Sequence, residues 1–292
     1  MLPRSFQYFA PGSVEDAVRF LGEHRGEAKV VAGGMSLIPL MKLRLASPSY
    51  VVDINGIRGL GDVAESQDRR SLVLGALTRH HTVETSPLVK RRAPLLAEAA
   101  GMIGDPQVRN MGTIGGALAH SDPSGDLGAV MLALRGSVTA AGRGGEREIP
   151  IDSFLVDTFT TALEEDELVT RVAVPASAGG TEGGAYLKLE RKVGDFATVG
   201  VAVQLRIEGG LCTYAGVGLT AVGPKSLRAG RAEALLVGKR VTKEAILEAS
   251  AAAAAECSPS DDPLRGSASY KREMVGVFAR RALELAAGRA KG

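Results

Sequence analysis

Residues 108–126 read VRNMGTIGGALAHSDPSGD, a glycine pair (Gly115–Gly116) set among small and polar residues with Asp122 and Asp126 close behind. Glycine carries no Cβ, so a ligand can approach the backbone there closely. Thr113, Ser121 and Ser124 can donate hydroxyl hydrogen bonds, and the two aspartates can accept them from ribose or ribityl hydroxyls. The same stretch also suits a tight turn that only saves space. Asp126 then merely caps the apolar helix expected from LGAVMLALRG. A metal held by the aspartate pair needs a third ligand, and His120 is the one residue of the usual kind nearby.

A second glycine site, Ala32-Gly33-Gly34-Met35-Ser36, lies between a short buried strand expected from AKVVAGG and a helix expected to start near Ser36. Pro39 falls in the first turn of that helix, where its missing N–H costs nothing. Such a turn presents unpaired N–H groups and the positive end of a helix dipole, which suits a phosphate. Its bland alternative is a plain strand–helix connection. A third cluster, YLKLERKVGDFATV, carries Lys188, Arg191, Lys192 and Asp195, either a solvated strand face or cationic contacts to an anionic ligand. Gly216-Val-Gly218-Leu-Thr-Ala221 copies the G-x-G-x-x-A dinucleotide fingerprint, but an apolar strand pattern runs through it and Pro224 arrives before any helix. That fingerprint works only where a strand ends and a helix begins, so these glycines are read as a bend or close strand packing.

The chain has 292 residues, 45% hydrophobic and 23% charged, with a formal net charge of +2. That balance describes a globular protein and leaves no basic footprint for nucleic acid. Only 4% of residues are aromatic and tryptophan is absent, which argues against base-stacking surfaces. The start, MLPRSFQYFAPGS, lacks a signal-peptide core, and no apolar run reaches the roughly 18 residues of a membrane span, so a cytoplasmic location is expected. Cys212 and Cys257 stand far apart, without zinc or iron–sulfur spacing, and read as small packed residues. No nucleophile signature of the Ser/His/Asp or Cys/His kind occurs.

Ser13 and Asp16 form a capping pair ahead of an amphipathic helix carrying Val14, Ala17, Val18 and Leu21. With the strand YVVDI this makes a small βα-type lobe over about residues 1–55. A second lobe, about 56–176, follows from the strand SLVLGALT, one helix over SPLVKRRAPLLAEAAGMIG, and the strands SVTAAG, REIPI and ELVTRVAVP. After Pro175 the Gly/Ser-rich ASAGGTEGG marks a boundary. Residues 177–292 then form an α+β domain. Its strands are GAYLKLERK, ATVGVAVQLRIEGG and LCTYAGVGLTAVG, with Gly209–Gly210 as a hairpin turn, and three helices close the chain. Met274, Val277, Phe278, Ala282 and Leu285 form the expected apolar stripe of the last helix.

Taken together, VVAGGMSLIPLMKLRLASPSYVVDI, IGDPQVRNMGTIGGALAHSDPSGD and YLKLERKVGDFATVGVAV resemble the FAD-binding medium subunit of molybdenum hydroxylases, the family of carbon monoxide dehydrogenase and split xanthine dehydrogenase flavoproteins. The resemblance covers nearly the whole chain in order. It implies an α+β protein, with a two-lobed FAD-binding domain of the vanillyl-alcohol-oxidase (PCMH) type and a C-terminal flavoprotein domain. It implies that FAD is held by Ala32, Gly33, Gly34, Met35 and Ser36 and by Thr113, Ile114, Gly115 and Gly116. Asp126 matches the family's aspartate and Lys188 its basic residue, while Ile103 and Leu168 fall where apolar contacts to the cofactor are placed. Ser121 and Asp122 complete the candidate set. Met35 stands where glutamine or histidine is frequent and Ala117 where asparagine or aspartate is often found, which removes two polar side chains near the cofactor.

The resemblance further implies an oxidoreductase subunit that passes electrons from a partner's [2Fe–2S] clusters through FAD to an acceptor such as NAD, a quinone or oxygen. Molybdopterin belongs to a large partner subunit and the clusters to a small one, in a dimer of heterotrimers. No residue of this chain need act as a general acid or base, since the flavin carries the redox chemistry. Two other readings stand beside it: a freestanding FAD-dependent oxidase or dehydrogenase acting directly on a small alcohol, and a flavinless assembly subunit on the same fold.

Overall fold

The computed structural model describes residues 2–177 and 179–290. Met1 and residues 291–292, at the outer limits of the two expected domains, and Ala178, inside the expected boundary, lie outside the described residues.

The first lobe is a three-stranded parallel sheet of β1 (Gln7–Phe9), β2 (Ala28–Val31) and β3 (Tyr50–Asp53), in the order β1-β3-β2. Its crossovers are α1 (Val14–Glu23) and the short α2 (Leu37–Lys42). Helix α1 starts as its sequence predicts: the Ser13 hydroxyl accepts from the Asp16 N–H at 3.1 Å, and Ala17, Val18 and Leu21 are buried. Strand β2 is half-buried rather than buried, because it is an edge strand of this small sheet.

The second lobe is a five-stranded antiparallel sheet in the order β4-β5-β10-β6-β7, formed by β4 (Val63–Glu65), β5 (Ser71–Gly75), β6 (Ser137–Gly142), β7 (Gly145–Pro150) and β10 (Leu168–Pro175). A two-stranded ribbon, β8 (Leu155–Asp157) with β9 (Thr160–Thr161), and the helices α3 (His80–Thr85), α4 (Pro87–Arg92), α5 (Pro94–Gly101), α6 (Pro106–Met111), α7 (Ile114–His120), α8 (Asp126–Leu134) and α9 (Ile151–Phe154) complete it. The single helix expected over residues 86–104 is broken into α4 and α5. Pro94 has no N–H to donate and forces Ala93 out of helical geometry, to φ −148° and ψ 62°.

The C-terminal part is an antiparallel sheet of β11 (Glu182–Leu189), β12 (Val199–Glu208), β13 (Leu211–Thr220) and β14 (Leu227–Arg228), covered by α10 (Gly230–Leu236), α11 (Lys243–Glu256) and α12 (Ala268–Arg289). Gly209 and Gly210 make the β12–β13 turn with φ of 58° and 80°, both left-handed, as a two-residue hairpin requires. The stripe expected on α12 is out of phase. Val275, Ala279, Ala282, Leu283, Ala286 and Ala287 are buried, whereas Leu285 is exposed. Alanines win that face because α12 lies directly on the sheet: a Cβ on Gly183 would overlap the Ala286 carbonyl.

Helix α8 joins the parts. All nine of its residues are buried, one side in the second-lobe core and the other on β12 and β13. Gly216 and Gly218 lie under it so closely that a Cβ on either would overlap the carbonyl of Ala133 or Ala129. The fingerprint-like glycines of β13 are therefore packing residues inside a strand.

Candidate functional site

The two glycine motifs, 80 residues apart in sequence, press their backbones together. A Cβ on Gly33 would overlap the Met111 carbonyl oxygen and stand 2.8 Å from the Gly112 Cα. Gly34 adopts φ 72°, open to glycine without strain. Among the described residues, the backbone N–H groups of Gly33, Gly34, Met35 and Ser36 have no hydrogen-bond partner. Four successive unpaired donors at a strand–helix turn are the kind of group that an anion-binding concavity uses.

The second motif is built differently. It is not a free turn but the first turn of α7, with Thr113 as N-cap. Its donors are spent inside the protein: Ile114 N–H on Thr78 O at 3.0 Å, Gly115 N–H on Ala76 O at 2.9 Å, Gly116 N–H on Thr113 Oγ1 at 3.1 Å and Ala117 N–H on Thr113 O at 2.9 Å. Gly115 is internal, since a Cβ there would meet the Ala76 Cβ at 2.5 Å. Gly116 faces the first motif, where its Cβ would stand 3.7 Å from Ala32 Cβ and 2.7 Å from Thr113 Oγ1. Gly33–Ser36 thus carry the unpaired donors, and Gly116 is the one glycine of the second motif that faces Ala32.

Asp126 lies inside the first turn of α8 rather than before it. The N-cap is Gly125, so capping is not the role of its carboxylate. Asp126 is buried; one oxygen accepts from the Tyr186 hydroxyl at 2.5 Å, and Lys188 Nζ sits 3.2 Å away. Lys188 also donates to Met102 O at 3.1 Å and lies 3.5 Å from Glu190. Burial raises the Asp126 carboxyl above its ordinary range, against the opposing pull of Lys188 and Tyr186. The same burial, together with the Asp126 charge, pushes the Tyr186 phenol well up. Sequence reading found Asp126 and Lys188 but missed Tyr186 and Glu190. The period-2 spacing of 186, 188 and 190, which puts all three on one face of an extended chain, was the available signal.

The remaining candidates are dispersed. Ser121 caps α7 in the left-handed region, φ 49°, with its hydroxyl 3.5 Å from Asp157 O. Asp122 accepts the Ser124 N–H at 2.8 Å, a local turn. Ile103 packs at the margin of the second-lobe core, and Leu168 is buried in the core between the first lobe and the five-stranded sheet. Met35 is 39% exposed. Arg191 pairs with Asp195 at 2.9 Å on an exposed edge, away from the burial that holds Lys188. No group of three metal-ligating side chains occurs among the described residues.

Three residues around the paired motifs escaped the sequence reading. Asn55 and Arg79 hydrogen-bond to backbone carbonyls of the two motifs. His80 is buried beneath Gly112, whose added Cβ would stand 2.7 Å from His80 Cδ2. Its Nδ1 has no partner, and burial, with Arg109 and Arg79 nearby, lowers its pKa to about 4.

Residues 4–177 match the family described as FAD binding domain in molybdopterin dehydrogenase, and residues 184–286 match the CO dehydrogenase flavoprotein C-terminal domain. The chain is 46% identical over 286 residues to the carbon monoxide dehydrogenase medium chain of Hydrogenophaga pseudoflava, covering 98% of each. It is 40% identical over 291 residues to the carbon monoxide dehydrogenase medium chain of Afipia carboxidovorans, covering 100% of each. A solved structure of carbon monoxide dehydrogenase from Hydrogenophaga pseudoflava, lacking the Mo-pyranopterin moiety of its cofactor, contains a chain that matches with a TM-score of 0.96, 47% identity and 99% coverage of both chains.

Proposed function

The chain belongs to the FAD-binding medium chains of molybdopterin dehydrogenases, and on that premise we propose that it is the flavoprotein subunit of a molybdenum hydroxylase. The observation that carries this reading is the apposition of Gly33 with Met111 and Gly112, which packs the turn bearing four unpaired N–H groups against the segment that leads into Gly116. A diphosphate fits that chemistry: donors on one wall, and no side chain on the other to hold it off. Ala32 and residues 33–36 hold the pyrophosphate in this scheme, with Gly116 closing the other side and Thr113, Ile114 and Gly115 supporting it from within the fold. Asp126 accepts from the ribityl chain. A carboxylate has about four lone-pair sites, so its bonds to Tyr186 and Lys188 orient it and leave acceptor capacity. Lys188 offsets its charge, Ser121 and Asp122 line the approach, and Ile103 and Leu168 provide apolar support.

When bound, FAD supplies the carrier that takes electrons from a partner's [2Fe–2S] clusters and gives them to an external acceptor of the NAD, quinone or oxygen class. The chain's own residues bind and orient; none is assigned as acid or base. We assign residues 1–176 to the FAD-binding unit and 177–292 to the C-terminal unit. The assembly is a dimer of heterotrimers with a large molybdenum-cofactor subunit and a small iron–sulfur subunit, in the cytoplasm. No helix among the described residues is long and apolar enough to cross a membrane.

The test is to incubate the purified chain with FAD, remove free flavin and record the visible spectrum. Retained flavin bands are expected, and their absence overturns the proposal. Addition of small alcohols without any partner is expected to leave the flavin oxidised; rapid reduction would favour a freestanding oxidase.

A further inference from the structure

The two glycine motifs come from different lobes, and two side chains tie them together. Asn55, just past β3, donates through Nδ2 to the Ala32 carbonyl at 2.7 Å and to Asp53 Oδ1 at 2.7 Å. Its Oδ1 accepts from Arg79 Nη2 at 2.7 Å. The other terminal nitrogen of Arg79 donates to the Met111 carbonyl. Ala32 precedes Gly33, and the Met111 oxygen is the atom that a Cβ on Gly33 would strike. The link Ala32–Asn55–Arg79–Met111 therefore starts and ends on the carbonyls that flank the apposition. Its anchor is firm: Asp53 accepts from the Tyr8 hydroxyl at 2.7 Å and from the Asn55 N–H at 2.9 Å. At the other end, Arg79 is held by the backbone bridge to Thr113, the N-cap of α7.

We propose that Arg79 and Asn55 are positioning residues that fix the separation of the two glycine segments for the FAD pyrophosphate. The proposal rests on the FAD reading above and deepens it. An arginine suits the role because its planar guanidinium carries several donors in a fixed fork, so one group can address the Asn55 amide and the Met111 carbonyl together. Lysine keeps the charge but has no such fork. Asn55 is exposed and Arg79 half-buried, and their hydrogen bonds replace bonds to water, so they add little to folding stability. What they supply is preorganisation: the ordering cost of the cradle is met before the ligand arrives, and this appears in affinity.

The experiment measures FAD affinity of the full apo-chain by quenching of flavin fluorescence, alongside thermal unfolding without FAD. Arg79→Met, Arg79→Lys and Asn55→Leu are each expected to weaken binding about tenfold with the apo-chain Tm unchanged. The double variant Arg79→Met/Asn55→Leu is expected to bind no worse than the weaker single variant, since one link is broken in each case. Should Arg79→Met fail to fold, Arg79→Lys alone carries the test. Unchanged affinity, full rescue by lysine or additive losses in the double variant would each overturn the proposal. Failure of the unmodified chain to bind FAD would instead remove the FAD reading itself, an outcome distinct from any of these.

Discussion

Lys188 Nζ lies 3.2 Å from the Asp126 carboxylate, and only 1% of the lysine side chain is exposed. A strand of the C-terminal sheet thereby delivers a buried cation to the first turn of a helix in the second lobe. Breaking such a pair leaves the buried lysine with only the longer contact to Glu190, 3.5 Å away, and costs up to about 3–5 kcal/mol. Asp126→Ala is expected to lose that much stability in urea unfolding, and Tyr186→Phe about 1–2 kcal/mol for the lost hydrogen bond to the carboxylate. Asp126→Leu combined with Lys188→Met should recover most of the loss while FAD retention stays impaired. Full stability in Asp126→Ala would show that the pair does not hold the two parts together.

Gly33 and Gly116 should fail in different ways. Alanine at Gly33 would overlap the Met111 carbonyl, so the backbone itself must move and apo-chain stability falls, by about 1–3 kcal/mol. Valine at Gly116 meets the Thr113 hydroxyl and the space facing Ala32, so its main effect should be loss of FAD retention. Asp122→Asn should weaken retention less, because its carboxylate is engaged in a local turn. The checks are thermal melts of the apo-chains and flavin content after desalting. Full flavin occupancy in Gly116→Val would remove the pyrophosphate from this wall.

His80 gives stability a sign with pH. Its pKa is about 4 in the fold against 6.5 for an ordinary histidine. Between these values the unfolded chain binds a proton that the native chain does not, so stability falls as pH drops from 6.5 toward 4 and its contribution is flat above that window. The full span is worth ~3 kcal/mol. Urea unfolding at pH 7 and pH 5 should show the decline, and His80→Leu should flatten it. An equally steep decline in the leucine variant would assign the effect to other groups.

The β13 glycines offer a third contrast. Gly218→Ala pushes a methyl group into the Ala129 carbonyl and should lift α8 off the sheet, costing about 1–3 kcal/mol or more. If these residues were a dinucleotide fingerprint, the variant would lose cofactor with its stability intact. Denaturation of the apo-chain separates the two outcomes.

Part of the local geometry of the candidate site was legible in the sequence because its signals are local. Ala32–Ser36 between a strand and a helix and Gly209–Gly210 in a hairpin each follow from backbone rules acting over a few residues, whereas Thr113, read as a ligand hydroxyl, is the N-cap of α7. The strand pattern through Gly216 and Gly218 likewise identified a false motif by its context. Sequence misjudged the face of α12 by about one residue, because an alanine-rich helix carries little pattern and close contact at Gly183 decides which side faces in. It joined α4 to α5, since apolar periodicity outweighed the break at Ala93–Pro94.

The sequence by itself determined which segments carry glycines and hydroxyls, and that a strand–helix turn at residues 32–36 offers donors. Only the tertiary structure decided that this turn faces Gly116, that the N–H groups of residues 114–117 are already spent, and that Asp126 meets Tyr186 and Lys188. It alone placed Arg79 within reach of Asn55 and Met111, 24 and 32 residues away. The reason is physical: a cap or a turn is satisfied by neighbours along the chain, whereas a hydrogen bond between distant segments exists only once packing has chosen which backbones touch.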